Sequence, residues 1–577
     1  MFPFLPHIEA LTSTTPGDAE AAQELQIASR ENPEQVIPIL DGWLASKLAL
    51  VGRDVTEIPW FEQLVGRWRG NDRHAFEGRG ATLSYDELHR ATARRASAWR
   101  AQGVKQGSTV CICRPFGARY VVDLLAGFRL GACVCWAPSL GEPYERRAVE
   151  AFGAEFVSAE PAAVRRLGPE LAAALLVDEV PAELVPEAEG AARYSRQDSC
   201  LGVLSPKAAE NDSAGRERLA WEPAWLDCES LQRAVARDAA SLWRLRPGDA
   251  VAAPGFDDAR HQPGLLLACL LAGATYHHVA PEEVARRTPR LQRRWRTFGV
   301  RRATLEALVE RGSIDARGVD ARGVDASANR AHGVVVERWF RDLEEEWDAE
   351  LWTHFGRSFE QAPLLRAVLT DPALGGVVAA TECSRDVYDN VVRIALGVGF
   401  AVAPLEGAPP DAGRGLLQLA GSSASPSVLL SELRGERYRY LGTARPRRAG
   451  AVYPRELVTE AVSTLPGVIG AAVVDVPRGG ERAGVSFGLV VFVRASADWC
   501  QERQRRTQQE LEGFLREVLA PELRPDFIEC RPSLPRLDDA GAVDAGWVAL
   551  QRWRGRLRQK SELRVFRELS SLSGGAV

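Results

Sequence analysis

The clearest pattern of apolar and polar positions begins at Ser84. Tyr85, Leu88, Thr92, Ala96 and Trp99 recur at spacings of three and four and therefore share one face of a helix. Ser84 and Glu87 are placed as a capping box at its start, and Gly103 ends it. Continuous apolar runs then predict strands at Val110–Cys113, Ala132–Trp136 and Glu155–Ser158, separated by helices over Tyr120–Leu130 and Arg146–Phe152. Strands alternating with helices of this length imply a mostly parallel sheet covered on both faces, an α/β architecture. An amphipathic helix is predicted earlier, over Glu34–Leu50, and the acidic run Trp339–Trp352 reads as an exposed helix. After about Arg445 the pattern resets to a smaller α+β unit. It has a helix over Glu456–Leu465, strands at Val468–Val476 and Val485–Val493, and a helix turning Leu511, Phe514, Leu515, Val518 and Leu519 inward.

Length alone makes two or more domains the default for 577 residues. The pattern divides them into an N-terminal extension (1–55), a large domain (56–445), a small C-terminal domain (446–552) and a basic tail (553–577). Residues 313–334 interrupt the large domain with a direct repeat, Asp315-Ala316-Arg317-Gly318-Val319 followed by Asp320-Ala321-Arg322-Gly323-Val324. Such a repeat reads as a loop insertion, since loop-closure entropy grows slowly with length.

Composition narrows the classes. Hydrophobic residues at 46% and charged residues at 26% are those of a globular protein, and a net charge of -5 gives no electrostatic case for binding nucleic acid. No apolar stretch reaches the roughly 18–20 residues of a membrane span. Ten scattered cysteines and a start without a signal-peptide pattern predict a reduced, cytoplasmic protein. Cys111 and Cys113, and likewise Cys133 and Cys135, lie on predicted core strands, so packing explains them better than a metal. No nucleophile-elbow pattern suggests a hydrolase. The lysines are Lys47, Lys105, Lys207 and Lys560, and arginine supplies the rest of the 72 basic residues. Lysine-dependent chemistry must therefore use one of those four.

Several segments together resemble the AMP-dependent acyl-CoA synthetases, the adenylate-forming family, over about residues 75–550. They are Phe76-Glu77-Gly78, Leu83-Ser84-Tyr85-Asp86-Glu87-Leu88, Gly103-Val104-Lys105-Gln106-Gly107, Leu270-Leu271-Ala272-Gly273-Ala274-Thr275, Tyr453-Pro454-Arg455-Glu456-Leu457 and Leu534-Pro535-Arg536. The resemblance implies a large N-terminal domain of mostly parallel sheets covered by helices and a smaller C-terminal α+β domain. It also implies ATP with magnesium, and CoA, as cofactors.

Carried over residue by residue, Pro206-Lys207 matches the end of the family's phosphate loop, but most of its glycines and threonines are replaced. The run Cys200–Leu204 equally satisfies the signature of a buried strand. Thr381-Glu382 matches the pair whose glutamate helps to hold magnesium. His261 falls at a pocket position, with His277-His278 nearby. Arg445 matches the arginine at the interdomain hinge, but Gly442 stands where an aspartate would bond the ribose. Ala542 replaces the catalytic lysine of the closing Leu-Pro-Arg-Thr-x-x-Gly-Lys-Val-Asp run.

This joint erosion leads to the expectation of a degenerate synthetase without ATP-dependent adenylation, serving as a binding, scaffolding or regulatory subunit. Its partners would be acyl-CoA, an acyl carrier protein or another enzyme. Two readings stay open beside it: an active acyl- or aryl-CoA ligase using Lys207, Glu382 and Lys560, and ATP-independent acyl transfer between CoA and a carrier protein.

Overall fold

The structure is a computed structural model. It describes residues 33–48, 58–138, 142–160, 174–176, 190–208, 219–281, 283–284, 295–302, 304–305, 338–345, 365–382, 384–404, 414–419, 428–433, 437–443, 447–448, 451–452, 455–477, 485–493, 501–519, 524–531, 535, 537, 543 and 548. The predicted insertion (313–334) and basic tail (553–577) lie outside these residues. Two compact units are present, one formed by Met1–Pro138, Ala148–Ala208 and Ala220–Arg445, the other by Ser139–Arg147, Ala209–Leu219 and Pro446–Val577.

In chain order the first unit opens with α1 (Pro33–Lys47), α2 (Trp60–Leu64), β1 (His74–Gly78), β2 (Ala81–Ser84) and α3 (Tyr85–Ala101). Next come β3 (Thr109–Cys113), α4 (Ala118–Leu130), β4 (Cys133–Trp136), α5 (Glu142–Phe152), β5 (Phe156–Ala159), β6 (Ser199–Ala208), β7 (Leu219–Asp227) and α6 (Cys228–Arg237). The series continues with β8 (Ala250–Ala252), α7 (Gly264–Ala272), β9 (Thr275–His277), β10 (Thr297–Gly299), β11 (Arg338–Asp342), β12 (Leu365–Asp371), β13 (Gly376–Ala380) and α8 (Ser384–Asp389). Five strands follow: β14 (Val391–Ile394), β15 (Phe400–Pro404), β16 (Arg414–Leu419), β17 (Val428–Leu433) and β18 (Arg437–Thr443).

Two sheets result. A five-stranded sheet has the order β5-β3-β4-β6-β7, and a 13-stranded sheet runs β15-β16-β17-β18-β14-β13-β12-β11-β10-β8-β9-β1-β2. Within the larger sheet, β12, β11, β10, β8, β9 and β1 are mutually parallel. The strands beyond β12 turn antiparallel.

Local chemistry sets these elements. Ser84 Oγ accepts from the Glu87 N–H while the Glu87 carboxylate accepts from the Ser84 N–H, completing the predicted capping box of α3. The predicted face Tyr85, Leu88, Thr92, Ala96 and Trp99 is buried. Helix α7 is apolar all round and accordingly buried on every side from Leu265 to Ala272. Its end is set by Gly273 in the left-handed region (φ 69°), whose N–H satisfies the carbonyls of Cys269 and Leu270. Cys111, Cys113, Cys133 and Cys135 are buried in the β3–β4 core, as the sequence predicts. Helix α1 joins the main core through Val36, Leu40, Trp43 and Leu44, and Asp41 holds Arg233 of α6 through a pair of bonds of 2.9 and 3.1 Å.

One expectation fails. Residues Arg338–Asp342 are strand β11 rather than the start of an exposed acidic helix, and residues 346–352 lie outside the described set. β11 is an interior parallel strand, buried on both faces. Trp339 packs on Phe298 on one side, while Phe340 packs on Trp243 and Phe256 on the other. The charges that suggested a helix cluster after the strand ends.

The second unit contains β19 (Arg447–Arg448), β20 (Ala451–Val452), α9 (Arg455–Ser463), β21 (Val468–Pro477), β22 (Val485–Val493), α10 (Gln501–Val518) and β23 (Phe527–Arg531). β21 is antiparallel and β23 parallel to β22. Leu511, Leu515 and Leu519 are buried against Val473, Leu489 and Val491, and Leu537 pairs with Val543 in an antiparallel bridge. No described helix is long and apolar enough to cross a membrane.

Candidate functional site

Ligands of open parallel sheets sit outside the carboxyl ends of the strands, where successive loops diverge. In the large sheet that edge is lined by residues that follow β8, β10 and β11: Asp258, Arg260 and His261, then Arg301, then Asp342, Glu344 and Glu345. His261, singled out by the sequence, is the ring at its centre.

These side chains engage one another. His261 Nδ1 lies 2.7 Å from Asp258 Oδ1, and its Nε2 lies 3.5 Å from Asp342 Oδ2. Arg301 donates to Asp342 at 2.5 Å and to Asp258 at 3.0 Å, and pairs with Glu345 at 3.1 Å. Arg260 donates to Asp342 at 3.0 Å, lies 2.5 Å from Glu344, and reaches the Thr370 carbonyl at 3.2 Å. Phe256 covers the group, its ring 4.8 Å from the Arg301 guanidinium and 4.8 Å from the His261 ring centroid.

Burial alone would raise the Asp342 carboxyl, but Arg260, Arg301 and His261 override it and bring it down to about 2. Asp258 is likewise held well below the usual carboxylate range, burial being outweighed by His261, Arg301 and Arg260. Arg301 is held above its ordinary value, since Glu345, Asp258 and Asp342 outweigh its desolvation. Asp258 and Asp342 are therefore held in the carboxylate form by protein cations.

A cavity of about 20 Å³, lined by Arg260, His261, Gln262, Asp238, Thr370 and Phe340 among others, has room for one water molecule.

The other sequence-predicted residues lie elsewhere. Thr381 is buried with its hydroxyl accepting from the Ala367 N–H at 2.9 Å and its own N–H donating to the Ala367 carbonyl at 3.0 Å. It thereby continues the β12–β13 ladder. Glu382 is half exposed and pairs with Arg393 at 2.8 Å. Arg260 reaches β12 at Thr370 and Thr381 reaches it at Ala367, so with the ordinary rise of a strand the two sites are separated by about 10 Å along β12. The structure does not bring Thr381 and Glu382 to His261.

His277 pairs with Glu77 at 3.2 Å, and His278 lies 3.5 Å from Asp257. The backbone of Lys207 belongs to β6, while its side chain lies outside what the structure describes. Gly442 pairs with Leu429 in the β17–β18 ladder. Arg445 and Ala542 lie outside the described residues.

The site residues that sequence reasoning missed are Asp258, Arg260, Arg301, Asp342, Glu344 and Glu345. The only local signal was the charged run Asp257-Asp258-Ala259-Arg260 leading into His261.

Among the described residues at this edge, Arg260 and Arg301 are engaged by carboxylates of their own chain, and Arg341 also reaches the Asp342 and Glu345 backbone, so the two guanidinium groups beside His261 are not free to hold a triphosphate.

Residues 62–203 match the family profile described as AMP-binding enzyme. The fold is that of the adenylate-forming, acyl- or aryl-CoA ligase-like proteins. Among solved structures it is similar to o-succinylbenzoate CoA synthetase from Bacillus subtilis, with TM-score 0.63 and 13% identity, covering 85% of this chain and 97% of that one. It is equally similar to an amide bond synthetase from Marinactinospora thermotolerans, with TM-score 0.63, 15% identity and coverage of 85% and 99%. A benzoate CoA ligase from Burkholderia xenovorans LB400 follows with TM-score 0.54, 17% identity and coverage of 85% and 100%. In sequence, 71 residues are 37% identical to acetyl-coenzyme A synthetase of Vibrio cholerae serotype O1, covering 12% of this chain. The match spans only 10% of that relative's length.

Proposed function

We propose that this protein keeps the adenylate-forming architecture without ATP-dependent adenylation, and acts as a binding, scaffolding or regulatory subunit. Acyl-CoA, an acyl carrier protein or a partner enzyme are the classes of molecule it would engage. The observation that carries this reading is the ion network at the carboxyl edge of the parallel strands, where Arg260 and Arg301 are paired with and neutralise carboxylates of their own chain.

The sequence supports the same reading at three positions. Ala542 stands in the place of the family's lysine, Gly442 in the place of its aspartate, and the run before Lys207 is poor in the glycines a phosphate cradle uses. The described cysteines are all free and buried, which suits a reducing, cytoplasmic setting.

The test is pyrophosphate release. Purified protein is mixed with MgATP, CoA and a panel of aliphatic and aromatic carboxylates. The expected result is release no faster than in protein-free controls. Multiple turnovers with any carboxylate would overturn the proposal in favour of an active ligase.

A further inference from the structure

The amino edge of the same parallel strands carries a second charged cluster, which the reading above leaves unused. Three strands enter the sheet there beside arginines: Arg296 precedes β10, Arg338 opens β11 and Arg366 is the second residue of β12. In the β11–β12 register Phe340 sits beside Arg366. Alternate residues of a strand share a face, so Arg338, Phe340 and Arg366 project to the same side. Trp243 packs on Phe340 with ring centroids 4.3 Å apart, and Arg366 Nη1 donates to the Leu242 carbonyl at 3.3 Å. Arg244, two residues beyond Leu242, is thus held close enough to Arg366 for the two charges to act on each other. Its backbone is left-handed, with φ 46°, a conformation that costs free energy in any residue other than glycine.

Local acids neutralise only the flanks of this cluster. Asp249 takes Arg296 at 2.9 Å and Arg338 at 3.7 Å, and Glu382 takes Arg393 at 2.8 Å. Nε of Arg244 and Nε of Arg366 are buried and have no hydrogen-bond partner among the described residues. Buried donors without acceptors are rare in folded proteins and call for an explanation. Burial brings the Arg366 guanidinium down to about 10, with Arg244 and Arg338 pushing in the same direction against Glu382. Like charges have been gathered where an acceptor of opposite sign would relieve both the repulsion and the unmet donors.

We propose that Arg244 and Arg366 form a binding site for a small tetrahedral oxyanion of the phosphate class, distinct from the His261 edge. Guanidinium groups suit this ligand because their planar forks donate paired bonds to oxyanions.

The test is calorimetric titration of inorganic phosphate into the full chain at constant ionic strength. The expected result is one saturable site with Kd of about 1 mM or tighter. Arg366→Gln and Arg244→Gln should each weaken it by about tenfold or more, the loss of a charge-assisted bond. Arg366→Lys, which keeps the charge and loses the fork, should fall between. Arg506→Gln, at a side chain 81% exposed on α10, should bind as the parent does. Circular dichroism verifies folding, and if Arg366→Gln does not fold, Arg244→Gln at its half-buried position carries the comparison. Absence of saturable binding, or the same affinity in the Arg244, Arg366 and Arg506 variants, would overturn the proposal.

Discussion

Replacing Arg301 with methionine is the sharpest perturbation of the carboxyl-edge network. The substitution keeps an apolar stem against Phe256 and removes the cation that meets Asp342 at 2.5 Å, Asp258 at 3.0 Å and Glu345 at 3.1 Å. Asp342 and Asp258 stay buried, with Arg260 as the remaining guanidinium and the His261 ring beside them. Breaking one partner out of a buried ion pair costs about 3–5 kcal/mol, because the charge left behind is desolvated and uncompensated.

The pH dependence gives a second check. Asp342 is depressed from the ordinary carboxylate value to about 2, a change worth about 2 kcal/mol. A depressed folded-state value contributes stability that is fully present above the unfolded value, near 4, and is lost as pH falls through the folded value. In Arg301→Met that depression shrinks, so the gap between variant and parent should be widest at neutral pH and narrow below about pH 4. Urea midpoints read by tryptophan fluorescence between pH 7 and pH 3 measure both quantities. A loss below about 1 kcal/mol at pH 7, or a gap that does not change with pH, would refute the claim that Arg301 is a buried counter-ion.

Other expectations concern the frame. Leu40→Ala should destabilise the first unit by about 2–5 kcal/mol in urea, because Leu40 is fully buried in the main core; a cost near zero would mean that α1 is only appended. Ser84→Ala should cost about 1 kcal/mol through the lost cap of α3, with Ser84→Gly costing less. Burial pushes the Cys135 and Cys200 thiols well above their usual value and Cys530 up to about 11. Iodoacetamide at pH 8 followed by peptide mass spectrometry should leave these three unmodified until urea is added, and labelling of Cys200 in the native protein would contradict its burial.

What the sequence disclosed follows from the range of the interactions involved. The capping box at Ser84, the buried face of α3 and the apolar run Val485–Val493 are set by neighbours a few residues apart, and each is found where the pattern places it. Trp339 and Phe340 were misread because their burial depends on packing by Phe298, Trp243 and Phe256, residues more than forty positions away. The site divides in the same way. His261 is marked by its own segment, but its network joins Asp258 to Arg301 across 43 positions and Arg260 to Asp342 across 82. Single residues such as Arg301 carry no local signal. Thr381-Glu382 is marked by a dipeptide motif, and in the fold the Thr381 hydroxyl meets the Ala367 backbone while Glu382 pairs with Arg393.

The central claim is that the carboxyl edge of this sheet is occupied by the protein's own charges and does not take a magnesium nucleotide. Calorimetric titration of MgATP into the full chain, with Arg366→Gln run in parallel to separate any weak phosphate contact at the opposite edge, addresses it most directly. The account predicts no saturable heat in the micromolar range for either protein. Micromolar MgATP binding retained in Arg366→Gln and abolished by substitution of His261 would contradict it.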